Sequence, residues 1–348
     1  MTGCDAETQA VLPWKKSCTD AASGTSLEMR DSACDPMNVI DTVPSSGFSG
    51  HQSVAACNPQ KMAEVLTSIA GVSVPVFNKL QNILFASVNV QRHAEVVNTS
   101  NKLLLFLMKI KLNLSYSALA VFFNIHRTTC SRHFFLVLNM LHQKMRPIIY
   151  WPSQSTNELM MPECFKPHYS QCRVIIDCTE VSCSAPATVH EQVLIYSSYK
   201  GCYTVKFLVG ITPSGIISFL SRPYGGRATD SLITADSGIL HLLNRGDSVL
   251  ADKGFPQIRN QLADHGVKFQ MPVFALPNEP FTREEVFETY KVATARIHVE
   301  RCIQRMKIYR IHSEKLSADL VPHVAKIIDM CGVLTNLQKP IIEPKEQP

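Results

Sequence analysis

The sequence predicts two unlike units. An all-α helix-turn-helix domain precedes an α/β core built on a mixed five-stranded sheet with flanking helices. Three observations lead there. Apolar residues recur at helical spacing over 99–146. From residue 172 onward they gather instead into short β-branched runs separated by turn signals. Two of those runs end in a carboxylate, at Asp177 and at Asp252. A switch of period marks a switch of element type, because a helix repeats every 3.6 residues and a strand every two.

Residues 1–60 are acidic and rich in Ser, Thr, Asp, Gly and Pro, and are expected to be disordered. Residues 61–98 carry Val65, Leu66, Ile69, Leu80, Ile83 and Leu84, enough for a short helical linker region broken near Gly71 and Pro75.

The helix-turn-helix domain is expected over 99–150. Leu103, Leu104, Phe106, Leu107 and Ile110 define a first helix behind Thr99 or Ser100 as N-cap. Ser115 or Ser117 caps a short second helix with Leu119, Ala120 and Phe123. Asn124-Ile-His is a tight turn, and Arg127-Thr-Thr-Cys-Ser-Arg132 opens a long third helix that stops before Pro147. In this layout the start of the last helix reaches base edges and phosphates. Arg127, Thr128, Thr129, Ser131 and Arg132 supply the forked donors and short hydroxyls that such contacts use. A plain helical bundle would leave a similar pattern. Charge separates the two readings: residues 96–157 hold seven Lys or Arg and no Asp or Glu. The formal net charge of the chain is only +5, because residues 1–64 hold four basic and eight acidic side chains. A carboxylate-free stretch of this length suits a polyanion, since phosphate neutralisation dominates nucleic-acid affinity.

The α/β core is expected over 165–342. Arg173–Asp177 is the first strand. Thr204–Ile211 and Ile216–Leu220 form a hairpin around Thr212-Pro-Ser-Gly215. Thr229-Asp230 caps a helix running through Leu243, Ser248–Asp252 is a fourth strand, Gln257–Asp264 a helix, and Val267–Met271 a fifth strand. Thr282-Arg-Glu-Glu285 is a capping box opening a helix to about Arg310. The order β-β-β-α-β-α-β-α is that of a ribonuclease-H-like layout.

A carboxylate ending an apolar strand pays for desolvation unless a cation or hydrogen bond compensates it. Asp177 and Asp252 can converge outside the sheet, and Glu300, in Arg296-Ile-His-Val-Glu-Arg301, can swing over the same point. Three oxygen ligands would hold one or two hard divalent cations, and two of them about 4 Å apart serve phosphodiester hydrolysis or transesterification. Spacing alone leaves another reading open. Asp252-Lys-Gly254 is a good turn sequence, and Glu300 with Arg296 is an ordinary pair on one helix face. His298 is expected to be a packed or surface histidine, and Cys178 and Cys302 buried neighbours without chemistry.

Composition excludes other classes. The most apolar run, Leu103–Met108, is six residues, against about 20 for a membrane span. No charged start followed by an apolar stretch marks a secretory signal, and no two of the 12 cysteines are spaced C-x2-C. Reduced thiols in the nucleus or cytosol are expected.

Ile175-Ile-Asp-Cys-Thr-Glu-Val181, Tyr196-Ser-Ser-Tyr-Lys-Gly201, Val209-Gly-Ile-Thr-Pro-Ser-Gly215, Tyr224-Gly-Gly-Arg-Ala-Thr-Asp-Ser231, Leu250-Ala-Asp-Lys-Gly-Phe255 and Ala295-Arg-Ile-His-Val-Glu-Arg301 follow one another in order. Together they resemble the DDE superfamily endonucleases and transposases of the PIF/Harbinger kind, over about residues 99–342. The resemblance implies a nuclease that cuts DNA with Mg²⁺ or Mn²⁺. By position its triad is Asp177, Asp252 and Glu300, both catalytic and metal-holding. Thr179, Glu180 and Asp230 would support the site, and Lys253 and Arg301, which flank the ligands, would touch substrate phosphates. The chain departs from the THAP-bearing members, having no C-x2–4-C pair followed by a C-x2-H. Target choice is then expected to rest on residues 99–146 or on a partner. The resemblance implies a separate Myb-like DNA-binding protein as such a partner, and is compatible with a homo-oligomer. A nuclear location is expected, with shuttling to the cytoplasm left open. A domesticated relative that binds DNA or chromatin without cutting is the alternative.

Overall fold

A computed structural model describes residues 59–87, 98–272 and 282–342. The expected disordered acidic region lies outside these residues but for its last two positions. The described residues divide into two compact units, one of 59–146 with 308–311 and one of 147–307 with 312–342.

The first unit is all helix: α1 (Pro59–Ala70), α2 (Val74–Ser87), α3 (Thr99–Leu112), α4 (Tyr116–Phe123) and α5 (Arg127–Met145). Helix α3 buries Leu103, Leu105, Phe106, Leu107, Met108 and Ile110, more than one stripe, because α1, α2, α4 and α5 all pack against it. Phe106 stacks on Phe134 of α5 at 5.5 Å between ring centres. The cap of α3 is Asn98, one residue before the expected Thr99; its side chain accepts from the Asn101 N–H at 2.8 Å. Helices α3 and α4 end at Asn113 and Asn124, both left-handed (φ 49° and 48°), a conformation asparagine tolerates better than most side chains. Ser115 caps α4, and the His126 ring caps α5 by accepting from the Thr128 N–H. Tyr309 fills this unit from the far end of the chain, its hydroxyl donating to the Gly71 carbonyl at 3.3 Å.

The second unit holds α6 (Gln154–Leu159), α7 (Lys166–Tyr169), β1 (Cys172–Ser182), α8 (Val189–Ile195), β2 (Tyr196–Ser197), β3 (Cys202–Ile211), β4 (Ile217–Leu220), β5 (Tyr224–Gly225), α9 (Asp230–Asp236), β6 (Ser248–Leu250), α10 (Arg259–Asp264), β7 (Lys268–Gln270) and α11 (Arg283–Lys307). A short α12 (Arg310–Ser313) and α13 (Val324–Asn336) follow. Five strands make the body of a mixed sheet in the order β4-β3-β1-β6-β7, and the two-residue β2 and β5 add to the outer edge of β3. β3 runs antiparallel to β1 and β4, whereas β1, β6 and β7 are mutually parallel. Val174, Ile176 and Leu208 face a core shared with Ile233 of α9 and Leu262 of α10. Strand side chains alternate, so Ile175 and Asp177 face the other way, where α11 packs on β1 and β3.

Two elements differ from the expectation. β1 continues five residues past Asp177, because Cys178–Ser182 keep pairing with β3 after β6 has ended. The helix after Thr229 stops at Asp236, since Gly238 takes φ 84° and Ile239–Leu242 form only a 3₁₀ turn.

Candidate active site

Register brings the two aspartates level. Ile175 of β1 pairs with Leu250 of β6 in the parallel ladder. Asp177 and Asp252 each lie two residues further on, hence side by side and on the same face. Asp177 stays in the strand, and its Oδ1 accepts from the Cys178 N–H at 2.9 Å. Asp252 leaves it, and its carbonyl closes a turn with the Phe255 N–H. Glu300 sits on the exposed side of α11, one helical turn after Arg296.

Arg296 ties these groups together. Its Nη1 lies 3.2 Å from Asp252 Oδ1 and its Nη2 3.8 Å from Glu300 Oε1. Asp177 feels the same guanidinium. Burial pushes the Asp177 carboxyl up to about 6; Arg296 and the Cys178 N–H pull it down, while Asp252 and Asp230 push it up. Sequence reading saw Arg296 only as a neighbour of Glu300 on one helix face. Its second partner is 44 residues away, and no local signal reveals it.

The supporting residues divide between the two faces of the sheet. Thr179, on the Asp177 side, is buried with its hydroxyl lacking a hydrogen-bond partner. Glu180 points to the opposite side, where it accepts from Thr204 Oγ1 at 2.8 Å and lies 3.9 Å from Lys206 Nζ. Lys206 reaches Asp230 Oδ1 at 2.5 Å and donates to the Ala228 carbonyl at 3.2 Å. Burial works against the Lys206 charge, but Asp230 more than offsets it, so the ammonium is held above its usual range. Asp230 opens α9 behind its cap Thr229 and leans on the turn that carries Asp252. A Cβ on Gly254 would stand 2.6 Å from Asp230 Oδ2, so a side chain there would push that carboxylate aside. Sequence reading missed Lys206, because its pairing with Glu180 depends on the antiparallel register.

Lys253 and Arg301 are exposed. His298 is half-buried against the Phe165 ring, its Nδ1 without a partner; burial and then Arg301 hold it below the usual histidine range. Cys302 is buried, and Cys178 is held well above the usual thiol range by burial and then by Asp230. All described cysteines are free. In the helical unit Arg127, Thr128 and Arg132 are exposed at the start of α5, and Thr129 and Ser131 are half-buried beside them. Thr128 Oγ1 lies 2.8 Å from His126 Nδ1.

Asp177, Asp252 and Glu300 offer hard oxygen donors, the chemistry a divalent cation takes. Among the described residues no three His, Cys, Asp or Glu stand arranged to hold a metal ion. Positive charge between Asp252 and Glu300 comes instead from Arg296. No helix among the described residues is long and apolar enough to cross a membrane.

Residues 176–336 match the family described as DDE superfamily endonuclease. Residues 96–147 match the helix-turn-helix of DDE superfamily endonuclease. No curated protein matches the chain. Adjacent and in this order, the two matches support a DDE superfamily transposase, with DNA binding supported by both parts.

Proposed function

We propose that this chain is a transposase-derived endonuclease of the PIF/Harbinger kind, cutting DNA phosphodiester bonds with Mg²⁺ or Mn²⁺. The observation that carries this is Asp177 in β1 with Asp252 just past the end of the neighbouring parallel strand β6, and Glu300 linked to Asp252 through Arg296. The strand order β4-β3-β1-β6-β7, with β3 alone antiparallel to the rest, supports a ribonuclease-H-like core.

Asp177, Asp252 and Glu300 would hold the cations. When bound, these supply Lewis-acid polarisation of the phosphate and a water or 3′-hydroxyl activated for in-line attack. The rest falls to the protein. Thr179 offers a hydroxyl beside Asp177. Asp230, braced by Lys206, sets the turn of Asp252. Lys253 and Arg301 stand exposed next to the ligands, placed to contact phosphate oxygens. The test is nicking of supercoiled DNA by the full chain in Mg²⁺ or Mn²⁺. Cleavage should vanish in Asp252→Ala; equal residual cutting by wild type and variant would rule the assignment out.

The start of α5 is the DNA-reading edge in this proposal. Arg127→Ala/Arg132→Ala should weaken DNA binding roughly tenfold or more at moderate salt and lower the salt slope by about two. Titration of fluorescent duplex at several salt concentrations reads both; an unchanged slope counts against the helix-turn-helix as the binding edge. A Myb-like partner, self-association and a nuclear location belong to the same reading.

The alternative is a domesticated relative that binds DNA without cutting. The Arg296 bridge across Asp252 and Glu300 favours it, because those carboxylates are already paired. A salt-sensitive complex with no cleavage under any divalent metal would decide for it.

A further inference from the structure

The carboxylates proposed to hold metal are engaged by a group of the chain itself. The Arg296 side chain is 9% exposed, whereas Asp252 and Glu300 are 49% and 52% exposed. The guanidinium thus lies beneath two carboxylates that still face solvent. Its Nε is buried and makes no hydrogen bond. The fork is held at its two outer nitrogens, by the oxygens a cation would use. Asp177, deeper in the same cluster, lies within the field of the same charge.

We propose that Arg296 is the resident cation of this site. Its guanidinium stands where a metal's charge would in the metal-free protein, and a divalent cation takes Asp252 and Glu300 only by drawing their oxygens away from it. The inference rests on the metal-nuclease reading above. Two consequences follow from charge alone. Without metal, Arg296 offsets the repulsion among neighbouring carboxylates and keeps Asp252 and Glu300 together. With metal, it is both a competitor for oxygens and a like charge a few ångströms away. Arginine suits this place because it stays protonated and its planar fork reaches two carboxylates at once.

The experiment uses the full chain and Mn²⁺ alone, at low ionic strength and neutral pH. Free Mn²⁺ is counted from its electron paramagnetic resonance signal, and thermal midpoints are recorded with and without the metal. Arg296→Gln should bind Mn²⁺ roughly tenfold more tightly than wild type, since two part-exposed pairs no longer have to be broken. Its metal-free midpoint should fall and be restored by Mn²⁺. Arg296→Lys keeps the charge and loses the fork, and should tighten binding about two- to threefold. Equal or weaker affinity in Arg296→Gln would overturn the proposal, leaving Arg296 as a strut that shapes the site. Asp252→Ala should lose the tight Mn²⁺ in both backgrounds, which locates it at these carboxylates. Wild-type binding and cutting with unchanged affinity in Arg296→Gln sinks this inference alone. No Mn²⁺ binding by either protein sinks the metal-nuclease reading and this inference with it. Should Arg296→Gln fold only with Mn²⁺, seen by circular dichroism, the proposal is supported; should it not fold at all, Arg296→Lys decides, with unchanged affinity counting against.

Discussion

Asp177→Asn should abolish cleavage and at the same time stabilise the metal-free protein at neutral and basic pH. Loss of groups that merely orient a metal ligand costs about 10- to 100-fold, so loss of a ligand should cost more than about 100-fold in rate. The stability gain has a separate cause. Burial pushes the Asp177 carboxyl up to about 6, well above an aspartate in the unfolded chain near 3.9. A raised carboxylate favours the folded state fully below the unfolded value. That contribution is lost as pH rises through the folded value. The folded metal-free protein therefore carries a cost of about 3 kcal/mol at pH 8 and almost none at pH 4. Asparagine keeps an oxygen for the Cys178 N–H and removes the charge. Urea unfolding of metal-free protein, followed by Trp151 fluorescence in a Trp14→Phe background, should show Asp177→Asn more stable by about 2–3 kcal/mol at pH 8 and equal at pH 4. A difference that does not shrink on acidification would show that burial of this charge is not the cause.

The opposite slope should come from His312. It is buried in α12 with the Phe207 ring edge-on at 5.9 Å, and its Nε2 has no partner. Burial, then the Lys307 charge, lower it to about 3. A histidine depressed in the folded state contributes stability that is present above its unfolded value near 6.5. That stability is lost as pH falls toward 3. By pH 4 the loss is about 3 kcal/mol. His312→Gln, whatever its stability at pH 7, should lose about 3 kcal/mol less than wild type between pH 7 and pH 4 in the same unfolding assay. Parallel pH profiles for the two proteins would exclude His312 as an acid trigger.

These two residues were not equally legible. Asp177 stood out because three apolar residues precede it, and an aspartate ending such a run needs compensation. Asp252 stood out for the same reason. That they lie level followed only from the pairing of Ile175 with Leu250, a fact of which strands are neighbours. His312 gave no signal, since its burial comes from β3, about a hundred residues earlier in the chain. The five body strands were legible from β-branched runs. β2 and β5 were not, because two residues carry no period. The break after Asp236 had a visible cause in Gly238, outweighed in the reading by the apolar residues beyond it. The starts of the helices over 99–146 were legible to within two residues from the polar residues before each apolar stripe, and the turn at Asn124 was legible too, whereas the end of α3 at Asn113 was not read.

The chain Lys206–Asp230–Gly254 has a consequence for how such a protein can diverge. Lys206 lies on a different face of the sheet from Asp177, Asp230 opens a helix, and Gly254 closes the loop beyond Asp252. A side chain at 254 would push the carboxylate at 230 aside and loosen its pairing with the ammonium at 206, leaving Lys206 to Glu180 and the Ala228 carbonyl. The turn that carries Asp252 is therefore sensitive to three positions that are not themselves proposed ligands, and a change at one of them is expected to disturb it while Asp177, Asp252 and Glu300 are all still encoded.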